Sequence, residues 1–370
     1  MKESATSVGW GFTESVRGPF LAVALLIPLL PWGVYAQGPC GPESRQFDFW
    51  IGEWDVLNRN RPPEDPRWYD TGTATARIYP VVAGCGIVEH WRGNAFGDFV
   101  EGFSLRAFNP GRGQWDLVLL WPNQGTPRFG ELGGGFRHNR GEFYSQTITE
   151  AGDTSVTRFT FSDITPNSLR WQDGTSTDAG RSWTSSWIME FNRREPLYQG
   201  PLLNGPAVTT IRCPDTQYRT LDFLVGEWAG VVQADSVETE GMTVRSNVTP
   251  ILDGCGLMEK VSAVGQESAW EIFRVWAFED EPNRWVEYRL DTRWPVLQRL
   301  EAEVPPAGGE WVFQTPRDDT RDGDLRVTMS RGVSGSVTWR EERYNAQTAQ
   351  WEFKPMVAYA ERLGAASNGG

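Results

Sequence analysis

Histidine is almost missing from this 370-residue chain, with His90 and His138 the only two. So little imidazole leaves almost no material for a Ser-His-Asp triad or a histidine-rich metal centre. No serine stands in a Gly-x-Ser-x-Gly elbow either. Cysteine is nearly as scarce, four residues without a close-spaced pair, which removes the common zinc frameworks. No metal and no cofactor is expected. Positive charge is in deficit: 35 Lys and Arg face 48 Asp and Glu, a net charge of -13 that opposes phosphate backbones and anionic lipid, so no nucleic-acid partner is expected. Gly133-Gly134-Gly135 lacks the Lys-Ser/Thr of a phosphate loop and reads as a hairpin or barrel bend between strands, a place for a mobile mouth. Asp318-Asp319 and Asp322-Gly323-Asp324 lack the spacing of a helix-loop-helix calcium site and read as a solvated turn.

Long apolar runs are confined to Phe20–Pro31, which is short and interrupted by Pro28 and Pro31. With Lys2 and Arg17 before it and small residues near Ala36 after it, residues 1–36 read as a cleaved secretory signal. The expected product is a secreted or periplasmic protein without stable membrane insertion.

What the chain has in abundance is tryptophan, 19 residues, and an internal repeat. DFWIGEW at Asp48–Trp54 returns as DFLVGEW at Asp222–Trp228, and GCGIVE at Gly84–Glu89 returns as GCGLME at Gly254–Glu259. The offset is 174 residues for the first motif and 170 for the second. Two diverged copies of one unit, each long enough for its own core, follow from this. The expected layout is a first domain at 37–200, a linker at 201–212, a second domain at 213–362 and a disordered tail at 363–370. Duplication also selects one of three cysteine pairings, Cys40 with Cys85 and Cys213 with Cys255.

Within each copy the period is two. Segments such as Phe103–Phe108, Trp115–Trp121 and Ile272–Phe278 read as strands separated by turn formers such as Asn109-Pro110-Gly111 and His138-Asn139-Arg140-Gly141. Asp173-Gly174-Thr175-Ser176-Thr177-Asp178-Ala179-Gly180 reads as a turn as well. An all-β class follows, with two tandem antiparallel up-and-down barrels of about 8–10 strands each.

Gly52-Glu53-Trp54 and Gly226-Glu227-Trp228, each preceded by a short apolar turn, resemble the Gly-x-Trp opening of lipocalin and other calycin barrels. The longer pattern is similar to an uncharacterised bacterial family of the DUF1579 type. The resemblance implies that Gly52, Trp54, Gly226 and Trp228 are structural, and that an arginine on the last strand covers each tryptophan, here Arg194 and Arg362. It assigns no reaction.

Candidate chemistry is thin. Glu53, Glu89 and His90 are the candidates for general acid work, although adjacent Glu89 and His90 point to opposite faces of a strand. Trp91, Phe103, Trp115 and Trp121 are the candidate ligand-binding residues, and asymmetry between the copies favours unit one as the acting one. Arg274, Arg289, Arg293 and Arg299 of unit two are expected to point outward and pair with acids such as Glu287, Glu301 or Glu303, the alternative being one turned inward to grip a carboxylate, as the resemblance to fatty-acid carriers implies. The favoured function is an exported lipocalin-like protein that binds a small apolar molecule without catalysis. The alternatives are an enzyme using general acid catalysis on a polyene or terpenoid, and a surface-interaction protein with filled barrels. The sequence assigns no oligomeric state.

Overall fold

A computed structural model describes residues 40–95, 98–123, 126–148, 152–194, 213, 216–233, 241–265, 269–281, 283–317, 321–332 and 334–363. The expected signal at 1–36, the linker at 201–212 and all but the first residue of the tail at 363–370 lie outside the described residues. Among the described residues no helix is long and apolar enough to cross a membrane.

The described chain forms two tandem closed antiparallel barrels of ten strands each. Barrel one comprises β1 (Gly52–Asn60), β2 (Tyr69–Val81), β3 (Gly86–Ala95), β4 (Asp98–Asn109), β5 (Gln114–Asn123), β6 (Thr126–Arg137), β7 (Arg140–Ile148), β8 (Thr154–Ser162), β9 (Ser168–Ser176) and β10 (Trp187–Arg193). Barrel two comprises β11 (Gly226–Gln233), β12 (Thr243–Ile251), β13 (Gly256–Val264), β14 (Ala269–Glu279), β15 (Arg284–Asp291), β16 (Trp294–Ala302), β17 (Trp311–Gln314), β18 (Leu325–Arg331), β19 (Val337–Asn345) and β20 (Gln350–Leu363). Neighbours in sequence pair throughout, and the first strand of each barrel closes on the last. Closure leaves no long free edge, which is why a meander of short alternating strands is stable here. Of the expected turn at 173–180, the first four residues are instead the end of β9, because Arg158, Thr157 and Val156 of β8 pair with Gly174, Thr175 and Ser176, and the turn itself occupies 177–180.

The repeated motif builds the closed end of each barrel. Gly52 and Gly226 have φ of 135° and 130°, a region open to glycine, where the chain leaves a 3-10 turn and becomes a strand. The indole N–H of Trp54 then donates to the Trp50 carbonyl at 2.8 Å, and that of Trp228 to the Leu224 carbonyl at 2.7 Å.

The covering arginine of barrel one is Arg193, not Arg194. Trp54 sits directly across the ladder from Arg193, so those two side chains share a face while Arg194 alternates away. Accordingly the Arg193 guanidinium lies 4.1 Å from the Trp54 ring and donates to the carbonyls of Ile51 and Phe49, each at 2.8 Å. Arg194 instead pairs with Asp55. Arg362 has the matching register, opposite Trp228, and its side chain lies outside what is described.

Both disulfides form within units, Cys40 to Cys85 and Cys213 to Cys255. Each ties the segment before the closed end to a turn of left-handed residues, Val82-Ala83 in one unit and Leu252-Asp253 in the other.

The barrels join through a third apolar cluster made of the outer faces of equivalent strands. Phe103, Leu105, Ala107 and Leu120 meet Phe273, Val275, Ala277 and Leu290, residues offset by 170 from one another. Phe103 and Phe273 stack with centroids 6.3 Å apart and planes 6° from parallel. Strand β4 contacts β16 and β6 contacts β14, again an exchanged pair. Polar bonds follow the same rule: the Ala83 amide donates to Glu271 at 3.0 Å, and the Asp253 amide donates to Glu101. This is the self-complementary geometry of a two-fold dimer, built within one chain.

Candidate functional site

Barrel one encloses a cavity of about 680 Å³, within the size range of small-molecule pockets. Alternation explains its lining. On β3 the inward residues include Glu89 and Trp91, on β4 Gly102, Ser104 and Arg106, and on β5 Leu119 and Trp121. Trp121 stands 5.2 Å from Trp91 and 5.6 Å from Trp187, and Trp187 stands 5.2 Å from Trp171. Together these four indoles form one aromatic wall. Gly102 makes room for it: a Cβ there would lie 2.0 Å from the Trp121 ring.

A buried polar cluster interrupts the aromatic lining. Glu89 Oε2 accepts from Ser104 Oγ at 2.9 Å and from Arg106 Nη2 at 3.1 Å. Arg106 is 2% exposed, and its guanidinium lies 4.2 Å from the Trp50 ring. Burial pushes the Arg106 pKa down, and the neighbouring Glu89 carboxylate opposes that shift. The Nε and Nη1 atoms of Arg106 and the Nε1 atoms of Trp50 and Trp91 have no hydrogen-bond partner.

The barrel wall opens beside this cavity. Strands β6 and β7 pair only from Gly133–Tyr144 to Arg137–Arg140, although β6 starts at Thr126 and β7 runs to Ile148. Arg128, Gly130, Ser145 and Thr147, on the unpaired stretches, line the cavity. Barrel two holds the loose edge of β6. Glu279 Oε1 accepts from the Phe129 amide at 2.8 Å, the Tyr288 hydroxyl donates to Glu131, and Arg299 Nη1 donates to Glu131 at 3.3 Å. Burial raises the Glu279 pKa against the amide and Arg299. The Gly133–Gly135 run is therefore not a loose mouth but the paired part of β6. Its glycines let β7 come close, since a Cβ on Gly134 would lie 2.0 Å from the Glu142 carbonyl oxygen.

The candidate residues scatter around this site. Trp91 and Trp121 are in the wall. Phe103 borders the cavity, but its ring belongs to the inter-barrel cluster, because it alternates with the inward Gly102 and Ser104. Trp115 faces inward at the closed end, away from the cavity lining, where its ring meets Phe47 at 4.8 Å and its N–H donates to Gln46 at 2.9 Å. Glu53 faces outward and is held by Arg77 at 2.6 Å. His90 also faces outward, against Glu101. Burial pushes the Glu101 carboxyl up, but His90, Arg92 and the Asp253 amide outweigh it and hold the pKa below its ordinary value. Of the three candidate acids and bases, Glu89 alone lines the cavity. Arg106, Ser104, Trp171 and Trp187 were not singled out from the sequence; the inward parity of β3 and β4 was the signal for the first two.

Barrel two carries charge at the equivalent positions. Leu117, Leu119 and Trp121 correspond to Glu287, Arg289 and Asp291, and Ser104 corresponds to Arg274. All four are at most 2% exposed. Arg274 Nη1 donates to Glu259 at 2.8 Å, Arg289 Nη2 to Glu341 at 2.7 Å, and Arg293 Nη2 to Glu341 at 3.0 Å. Ser246 and Tyr359 also donate to Glu259, the latter at 3.0 Å. The expectation that Arg274 and Arg289 point outward is overturned. They share the inward parity of Trp276 and Trp285, and neighbouring acids compensate them. Burial raises the Glu287 pKa, whereas the three arginines around Glu341 outweigh burial and hold that carboxyl far below its ordinary value.

No protein-family model and no curated protein sequence matches the chain. Among solved structures it is similar to a DUF3598-family protein of unknown function from Nostoc punctiforme, at 13% identity over 86% of this chain and 98% of that one, TM-score 0.25. It is also similar to the S-type phycobiliprotein lyase of Guillardia theta, at 11% identity over 40% of this chain and 90% of that one, TM-score 0.24. A third is EF1p2_mFAP2b bound to DFHBI, at 11% identity over 41% of this chain and 99% of that one, TM-score 0.23. The fold itself is a tandem pair of closed antiparallel ten-stranded barrels.

Proposed function

We propose that the chain is an exported binding protein that holds one small apolar molecule inside barrel one, with barrel two as its structural partner. Residues 37–200 and 213–362 are its domains, and residues 1–36 direct it to a secreted or periplasmic location. The observation that carries this reading is the contrast between the interiors. Equivalent positions hold an aromatic wall beside a cavity in one barrel and a buried ion network in the other. Two within-unit disulfides suit an oxidising compartment.

The test is native mass spectrometry of protein isolated from its own host, followed by organic extraction. A co-purifying apolar compound in about one-to-one ratio is expected, on a chain that begins after Ala36. Recovery of an empty protein that also fails to take up an apolar fluorescent probe would overturn the binding reading. A ligand returned chemically altered would move the assignment to an enzyme acting through Glu89.

A further inference from the structure

We infer that the ligand of barrel one is uncharged and carries a hydroxyl-class group, one that donates a hydrogen bond, seated on the Glu89–Arg106 pair. The inference rests on the binding reading above and specifies its chemistry.

Three observations carry it. First, Glu89, Ser104 and Arg106 form the buried polar cluster of the cavity, whose other charged and hydroxyl-bearing lining residues, Arg128, Glu131, Ser145, Thr147 and Thr157, are exposed or half-buried, so a polar group on the ligand finds partners there. Second, an acceptor is left over. Ser104 and Arg106 both engage Oε2 of Glu89, leaving Oε1 without a hydrogen bond, while the Nε and Nη1 of Arg106 are sealed from the cavity beside the Phe47, Trp50 and Phe161 rings. A hydroxyl donates to Oε1. An ether or ketone can only accept, and a hydrocarbon does neither. Third, the charges of the pair already cancel, 3.1 Å apart. A carboxylate ligand on the pair would bring a second negative charge beside Glu89, while the other cation of the lining, Arg128, is exposed, and an ammonium ligand would meet Arg106. In a water-poor interior each uncompensated charge is strongly disfavoured.

The test uses the full chain and three matched probes at pH 7: 2-methylnaphthalene, 2-naphthylmethanol and 2-naphthoate, titrated calorimetrically and by tryptophan fluorescence. The alcohol should bind roughly tenfold or more tighter than the hydrocarbon, and the carboxylate more weakly than the alcohol by at least that factor. Glu89→Gln removes the compensating charge and leaves Arg106 in place, so it should shift preference toward 2-naphthoate by roughly tenfold or more. Near-UV circular dichroism reports whether the variant keeps its fold, and the wild-type series decides the question without it. Equal binding of alcohol and hydrocarbon overturns the hydroxyl assignment while leaving the apolar cavity standing. Tightest binding of the carboxylate overturns the neutrality argument. If none of the three binds, the binding reading falls and this inference with it.

Discussion

Replacing Arg274 with methionine removes a fully buried cation of barrel two that faces three acids while preserving much of its bulk. Arg274 lies 2.8 Å from Glu259, 3.7 Å from Glu287 and 3.8 Å from Glu341, and its guanidinium is 4.6 Å from the Trp339 ring. Arg289 and Arg293 still serve Glu341 after the change, but Glu259 keeps only the hydroxyls of Ser246 and Tyr359. Leaving one buried carboxylate without its cation costs about 3–5 kcal/mol. For a unit of about 150 residues, that lowers the melting temperature by roughly 6–20 °C. Differential scanning calorimetry of the full chain reads this directly. Adding Glu259→Gln to Arg274→Met should recover about 1–2 kcal/mol by removing the stranded charge. Apolar probe binding at 25 °C should change by less than about twofold, because barrel one is untouched. A loss under about 1 kcal/mol would show that the network is hydrated and not a packed interior. A collapse of probe binding in a folded variant would refute the division of roles between the barrels.

Three further outcomes follow from other parts of the molecule. Arg193→Ala should cost about 2–3 kcal/mol through the lost stacking on Trp54 and the lost bonds to the Ile51 and Phe49 carbonyls, measured by urea unfolding, whereas exposed Arg194→Ala should stay within about 0.5 kcal/mol. Gly102→Ala should weaken probe binding roughly tenfold or more, since its Cβ displaces the Trp121 ring, with the shift read in tryptophan fluorescence. The Glu101 carboxyl has a depressed pKa in the folded chain, so its contribution is present above the ordinary carboxylate range and is lost as pH falls through the folded value. Acid titration of the wild type should therefore lose more stability below about pH 4.5 than Glu101→Gln does, and parallel curves would sink the argument.

The fold was legible because its signals are local and doubled. Gly-x-Trp, Gly-Cys-Gly and a period of two each recur, and a repeated signal cannot be an accident of one segment. The cysteine pairing was legible for the same reason. The site was legible only in part, because aromatic character says nothing about which side of a strand a residue takes. Phe103 and Trp91 look alike in sequence, yet parity sends one to the inter-barrel cluster and the other to the cavity. On β14, Trp270–Phe278 is apolar on both faces, since one packs the interior and the other the partner barrel. Alternation therefore gave no direction there, and Arg274 was read as outward. Register decides in the same way at Arg194: Arg193 and Arg194 are adjacent and alike in sequence, and only the ladder places Arg193 across from Trp54. The lateral gap between β6 and β7 was not visible at all, because both strands continue in sequence past the point where their pairing stops.

The inter-barrel cluster constrains how the two copies came to differ. Outward residues of β4 and β5 meet their own equivalents across a pseudo-two-fold, so a change at Phe103, Leu105 or Leu120 must suit the partner barrel. Inward residues carry no such coupling, and the copies diverge there, Trp121 against Asp291 and Leu119 against Arg289. A surface that is its own complement has a further consequence. Residues 40–194 expressed alone would expose Phe103, Leu105, Val118, Leu120 and Phe129, an apolar face that is covered in the full chain. That face should pair with a second copy of itself, giving a homodimer in which each subunit takes the place of barrel two. The loose edge of β6 would still lack Glu279 and Arg299, whose equivalents in unit one are Asn109 and Glu131. Sedimentation of the isolated unit should thus show a dimer, with probe affinity below that of the full chain because the edge beside the cavity is unclamped. A monomer that binds the probe as tightly as the full chain would show that barrel two neither covers that face by necessity nor supports the site.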